Sequence, residues 1–171
     1  MSTDFIALMD RRRPLADAPW LAERLAEDTT AVSALIERYA KYWRPNSWIV
    51  QQSRVTSRPE LLGPGGFRLD FGEHTVTIYH MMRFSTFTGD VASRVLLRSA
   101  CMMVADLIGS DRGLYTHELM PLDRNGLAEA EASLRARIGP PALTFEELHA
   151  AEYFGPHAWY IDDFSDLRAV T

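Results

Sequence analysis

The sequence predicts an α+β fold: a mostly antiparallel sheet of four to five strands, helices packed on one face, and an N-terminal helical hairpin. Three observations carry this expectation. Apolar residues recur at helical spacing over the first forty or so residues and again after residue 90. Between them the pattern switches to period two, as in Phe67-Arg68-Leu69-Asp70-Phe71. The strand candidates are grouped and read as mostly antiparallel, which favours α+β.

Taken in order, Asp17 is placed to cap a first helix with Pro19 in its first turn, and Trp20, Leu21 and Leu25 supply its apolar stripe. A second helix starts near Thr30. Val32, Leu35, Ile36, Tyr39, Tyr42 and Trp43 fall on its buried side, and Pro45 stops it. Trp48 to Val55 reads as a strand and Pro59 to Gly66, rich in proline and glycine, as an irregular loop. The alternating run from Phe67 continues through Val76 and Ile78 after a two-residue turn at Gly72-Glu73. A long helix capped by Asp90 and ended by Gly109 is apolar on more than one face and belongs in the centre of the domain. Arg112 to Leu119 is read as a strand, and Leu127, Glu131, Leu134 and Ile138 mark another helix closed by Gly139-Pro140-Pro141. Thr144-Phe145-Glu146-Glu147 forms a capping box for a helix reaching about Phe154. His157 to Phe164 is the last strand. The order is two helices, three strands, helix, strand, two helices, strand, over a single domain spanning 1–171.

Composition narrows the chemistry. A chain of 171 residues with 47% hydrophobic and 24% charged residues is long enough for one substantial core. No apolar run reaches the length of a membrane helix, and the N-terminus places its acid and apolar residues before Arg11-Arg12-Arg13, the reverse of a secretory signal, so the expected location is the cytoplasm. One cysteine, Cys101, leaves no internal disulfide and no multi-cysteine zinc site. Only one lysine, Lys41, is present and it follows no glycine-rich loop, so there is no P-loop. A net charge of −5 argues against nucleic acid as a partner. No cofactor is indicated.

Four constellations could carry chemistry. His74 and His80 are six apart on one predicted strand and so face the same way. With His117, and Glu118 beside it, they could form a metal or catalytic site on the sheet face, or they could make ordinary hydrogen bonds. Cys101 lies within the most apolar helix and reads as a core residue whose thiol is poorly reactive. Asp70, Glu73, Asp162 and Asp163 could serve as acid and base, but adjacent aspartates on a strand point to opposite faces, so Asp162 and Asp163 cannot enter one site together. The arginine run at 11–13 is either a phosphate or acid contact or a solvated segment.

The last stretch is the most distinctive. Thr144 to Thr171 holds Glu146, Glu147, Glu152, Asp162, Asp163 and Asp166 against the single base Arg168, together with Phe145, Tyr153, Phe154, Trp159, Tyr160 and Phe164. Trp159 and Phe164 are expected in the core. Glu146, Glu147, Glu152, Tyr153, Tyr160, Asp162, Asp163 and Asp166 are the candidate contacts for a partner with a basic surface, the other reading being a solubilising face.

The helix LLRSACMMVADLIGS running into the strand RGLYTHELM, followed by this acidic and aromatic end, resembles in layout the bacterial immunity proteins that neutralise toxins of interbacterial competition. That resemblance implies a non-enzymatic inhibitor that binds a cognate protein toxin directly. The alternative is a small enzyme or ligand- or metal-binding protein using His80, His117 and Glu118 on the sheet face.

Overall fold

Phe5, Ile6, Ala7, Leu8 and Met9 are five consecutive buried residues near the start of the chain. A strand buried on both faces carries no period-two signal, because both sets of side chains are apolar. These residues form the core of strand β1 (Asp4–Asp10), which sequence patterning did not reveal and which lies inside the sheet. The computed structural model describes residues 3–42, 47–122 and 125–170.

After β1 come helices α1 (Ala18–Glu27) and α2 (Ser33–Tyr39), strands β2 (Ile49–Gln52), β3 (Pro59–Leu62), β4 (Phe67–Phe71) and β5 (Thr75–Arg83), and helices α3 (Phe84–Gly89) and α4 (Val91–Ile108). Strand β6 (Gly113–His117), helices α5 (Leu127–Ile138) and α6 (Phe145–Ala150), strand β7 (Tyr160–Asp162) and the short helix α7 (Ser165–Arg168) complete the chain. The fold is α+β, with one open sheet of seven strands in the order β2-β3-β4-β5-β1-β6-β7, every neighbouring pair antiparallel.

Several expectations are corrected. The strand count is seven, because β1 was missed and part of the stretch read as an irregular loop is strand β3. Pro59 is tolerated there because it faces Gln52 outside the hydrogen-bonded pairs: Ser53 N–H donates to Arg58 O at 2.8 Å, so the bonded positions alternate away from Pro59. Only Pro64–Gly66 remains a tight turn, and Gly65 needs its left-handed φ of 73° there. The β4–β5 turn sits one residue later than expected, at Glu73-His74, since Gly72 N–H donates to Thr75 O. Helices α1 and α2 do not open the chain as a hairpin. They follow β1, and α1 packs on β2 and β3 while α2 packs on the Pro64–Gly66 turn. Trp43 and Pro45 lie outside the described residues. Helix α6 stops at Ala150, not near Phe154, and β7 is reduced to three residues.

Helices also occupy both faces of the sheet. Phe5, Ala7 and Met9 of β1 join Leu21, Leu35, Phe87, Leu97, Cys101 and Ile108 in the larger core, under α1 to α4. Leu8, pointing the other way, joins Leu114, Trp159 and the Leu127, Ala130 and Leu134 stripe of α5. The long helix α4 matches its reading: Asp90 accepts from Ser93 N–H at its start, and Gly109 ends it in the left-handed conformation. The arginine run is folded against this helix end. The backbone N–H groups of Arg12 and Arg13 both donate to Ile108 O, and the Arg11 guanidinium donates to Gly72 O and Glu73 O. These arginines thus answer carbonyls that would otherwise end without partners.

Because β1 bridges β5 and β6, removal of residues 1–10 is expected to abolish cooperative unfolding followed by circular dichroism. Phe5→Ala, with its ring fully buried, should cost about 3–5 kcal/mol in a urea titration.

Candidate functional site

Arg94 and Arg98 lie one turn apart on the buried side of α4, on a face shared with Leu97 and Cys101. Both guanidinium groups sit over the ring of Phe145, the first residue of α6, at 4.4 and 5.0 Å from its centroid. Tyr160 of β7 stacks on the same ring at 4.3 Å. Arg94 also donates to Thr88 O at 2.7 Å, which satisfies the charge of a group only 8% exposed.

Arg98 makes the denser set of bonds. Its Nε and Nη2 donate to the two carboxylate oxygens of Asp162 at 2.7 and 2.9 Å, a bidentate pair, and Nη1 and Nη2 donate to Asp166 at 2.8 and 2.6 Å. Asp162 is 2% exposed. It further accepts from the Tyr115 hydroxyl at 2.8 Å and from Phe164 N–H at 2.9 Å. Phe164, fully buried, takes a left-handed φ of 60° to turn the chain from β7 into α7. Burial, reinforced by the neighbouring thiol and the Asp162 carboxylate, pushes the Tyr115 hydroxyl well above its ordinary value, so it remains a donor. The hydrogen bonds from Arg98 hold Asp166 below the usual carboxylate range.

This arrangement sorts the candidate partner-binding residues. Asp162 is corrected: it is consumed inside the fold and presents nothing to a partner. Tyr160 is half-buried in the stack, and burial with the nearby Asp162 charge raises its hydroxyl. Asp163 and Asp166, beside Asp162, are exposed, and hydrogen bonding from Ser165 lowers Asp163. Glu146 and Glu147 are exposed in the first turn of α6. Thr144 accepts from Glu147 N–H, and the Glu147 carboxylate accepts from Leu143 N–H, one residue ahead of the cap. The Arg98–Asp166 and Arg98–Phe145 contacts therefore place the acidic first turns of α6 and α7 on either side of one aromatic stack. Glu152 and Tyr153 are separate, at the far end of α6, where Tyr153 packs edge-on to His117 at 4.6 Å. Arg94, Arg98, Phe145 and Tyr115 were not singled out from sequence. Two arginines at i, i+4 inside an apolar helical stripe were the available signal.

The histidines do not converge. Phe67, His80, Phe5 and His117 form one row across β4, β5, β1 and β6, so His80 and His117 do share a face, but Phe5 stands between them. That face is covered by helices. His80 is 2% exposed with both ring nitrogens engaged: Nε2–H donates to Gly65 O at 2.7 Å and Nδ1 accepts from Met82 N–H at 2.9 Å. No lone pair is left for a metal. His117 donates from Nε2 to Tyr153 O at 2.8 Å. Glu118, just past the end of β6, is exposed, and His74 is exposed at the β4–β5 turn. Among the described residues no group of three or more histidine, cysteine or carboxylate side chains is placed to hold a metal ion. Cys101 is fully buried and burial raises its thiol far above the ordinary value, which suits a core residue. No helix among the described residues is long and apolar enough to cross a membrane. No family model, curated protein or solved structure matches the chain.

Two outcomes follow from this geometry. Asp162→Ala leaves Arg98 without its buried counter-charge and is expected to cost about 3–5 kcal/mol, whereas Asp163→Ala should change stability by no more than about 0.5 kcal/mol; urea midpoints of the two variants separate these. Burial pushes His80 from 6.5 down to about 4. As pH falls through 6.5 the unfolded chain binds a proton that the folded chain refuses until about pH 4, so the stability His80 contributes is fully present above 6.5 and is lost across that window. The loss is expected to be roughly 3 kcal/mol, with His117, also lowered by burial, adding in the same direction. His80→Gln should remove the larger part of this pH dependence.

Proposed function

We propose that this chain is a non-enzymatic inhibitor that binds a cognate protein toxin, as the resemblance to bacterial immunity proteins implies, through the surface around the Phe145–Tyr160 stack. The observation that carries the reading is the pairing of exposed acids with an aromatic platform held rigid from below. Glu146 and Glu147 lie at one side, Asp163 and Asp166 at the other, and Arg98 fixes both through Phe145 and Asp166. Side chains on such a platform lose little freedom when a partner docks, which favours affinity. The same helix that carries Arg94 and Arg98 exposes Val91 and Val95, 62% and 41% accessible, one turn apart. Exposed acids around an aromatic stack suit a partner whose contact surface is basic, with long-range attraction raising the association rate.

The sheet-face enzyme reading has less support, since both ring nitrogens of His80 are engaged and His117 spends its Nε2 on Tyr153 O.

Co-expression with the products of the adjacent genes, followed by pull-down and growth rescue, tests the proposal. A one-to-one complex that relieves toxicity is expected. Glu146→Lys combined with Asp163→Lys, both at exposed positions, should slow association by roughly tenfold or more and flatten its salt dependence. Unchanged association and rescue by that variant would remove this surface from the binding site.

A further inference from the structure

A cleft of about 80 Å³ opens between α3, α6 and β6. Phe84, Leu148, Ala158 and Tyr153 give it apolar walls, and Glu152 is the carboxylate on its lining. Among the described residues no arginine or lysine lines it. The His149 ring, also on the lining, is held by Thr88 Oγ1 at 2.8 Å. The volume falls well below the roughly 300–1,000 Å³ of sites that enclose metabolites and drug-sized ligands. A single unbranched side chain is the occupant this space suits.

The polar groups decide which one. His117 lines the cleft and is 1% exposed. Its Nε2–H is spent on Tyr153 O, and its Nδ1 is buried beneath the cleft surface. Glu152, exposed beside it, adds a negative charge. Apolar walls and a carboxylate fit an aliphatic stem that ends in an ammonium group.

We propose that this cleft receives a lysine side chain of the protein partner, with the stem against Phe84, Leu148 and Ala158 and the ammonium group at Glu152. This inference rests on the reading of the chain as a binder of a basic protein. It gives Glu152 and Tyr153, set apart from the acids of α7, a separate role as the anchor pocket of the interface.

The test is a methyl-detected NMR titration of the full chain with n-butylammonium, which carries the lysine stem and head without a partner. Shifts confined to Leu148, Ala151 and Ala158 are expected at millimolar ligand. Glu152→Gln, or 1-butanol in place of the amine, should weaken binding by roughly tenfold or more. Ala151→Phe, at a half-buried lining position, should abolish the shifts while leaving the rest of the spectrum in place. Absence of shifts in the cleft, equal binding of 1-butanol, or tighter binding of n-butylguanidinium would overturn the proposal. If butylammonium fills the cleft but no neighbouring gene product is captured, the partner reading fails and the cation preference stands. If a partner is captured and butylammonium leaves the cleft signals unmoved, the cleft proposal alone fails.

Discussion

The bidentate pair between Arg98 and Asp162 is the constraint on which the C-terminal half depends. Two opposite charges, 5% and 2% exposed, are held where water cannot screen them. Removing such charges from water is costly, and an apolar pair of similar size could match their net contribution. What the pair supplies is geometry. It fixes the central turns of α4 against the three residues of β7, and through Asp166 it fixes the four residues of α7, neither of which is long enough to be stable alone. The Tyr115 hydroxyl and the Phe164 N–H fill the remaining acceptor positions of Asp162, so no lone pair in the cluster needs solvent.

Strand β1 plays the corresponding part for the rest of the molecule. It joins the β5 edge of one four-stranded group to β6 and β7, and its side chains enter both cores. Phe5 packs on Phe87 at 4.5 Å and on Tyr115 at 5.3 Å. Tyr115 in turn bonds Asp162. The aromatic cluster under α3 and the buried charge cluster under α4 are thus continuous through two rings, and disturbance of either is felt at the surface formed by α6 and α7.

How much of this was legible in the sequence follows from what each signal requires. Caps and periodicity are local, so Asp90, Gly109, Thr144 and the alternation of Phe67 to Phe71 were read correctly. Burial on two faces erases alternation, so β1 looked like an unstructured start. Glycine and proline suggested a loop at 59–66, although a proline at a non-bonded strand position costs no ladder hydrogen bond. The acids of the last stretch were visible as composition, but composition does not say which acid is paired. Asp162 and Asp163 are neighbours in sequence, yet one is buried and the other exposed. The partner that separates them, Arg98, is 64 residues away in sequence, and only the packing of α4 on β7 brings it into reach.

That separation changes what the acidic end can do. The charge that appeared to be one continuous patch is divided into an internal part, which closes the fold, and an external part in two places. Glu146, Glu147, Asp163 and Asp166 lie about an aromatic stack supported by two arginines, while Glu152 and Tyr153 border a small cleft. A rigid acidic platform suits steering and orientation, since its field reaches beyond contact distance. A narrow apolar cleft suits discrimination, since it admits few side-chain shapes. The inhibitor proposed above would use both properties, meeting its target quickly and refusing other basic proteins. Helix α6 carries acids of the platform at its N-terminus and borders the cleft at its other end, so its short rigid span sets the distance between the two contacts.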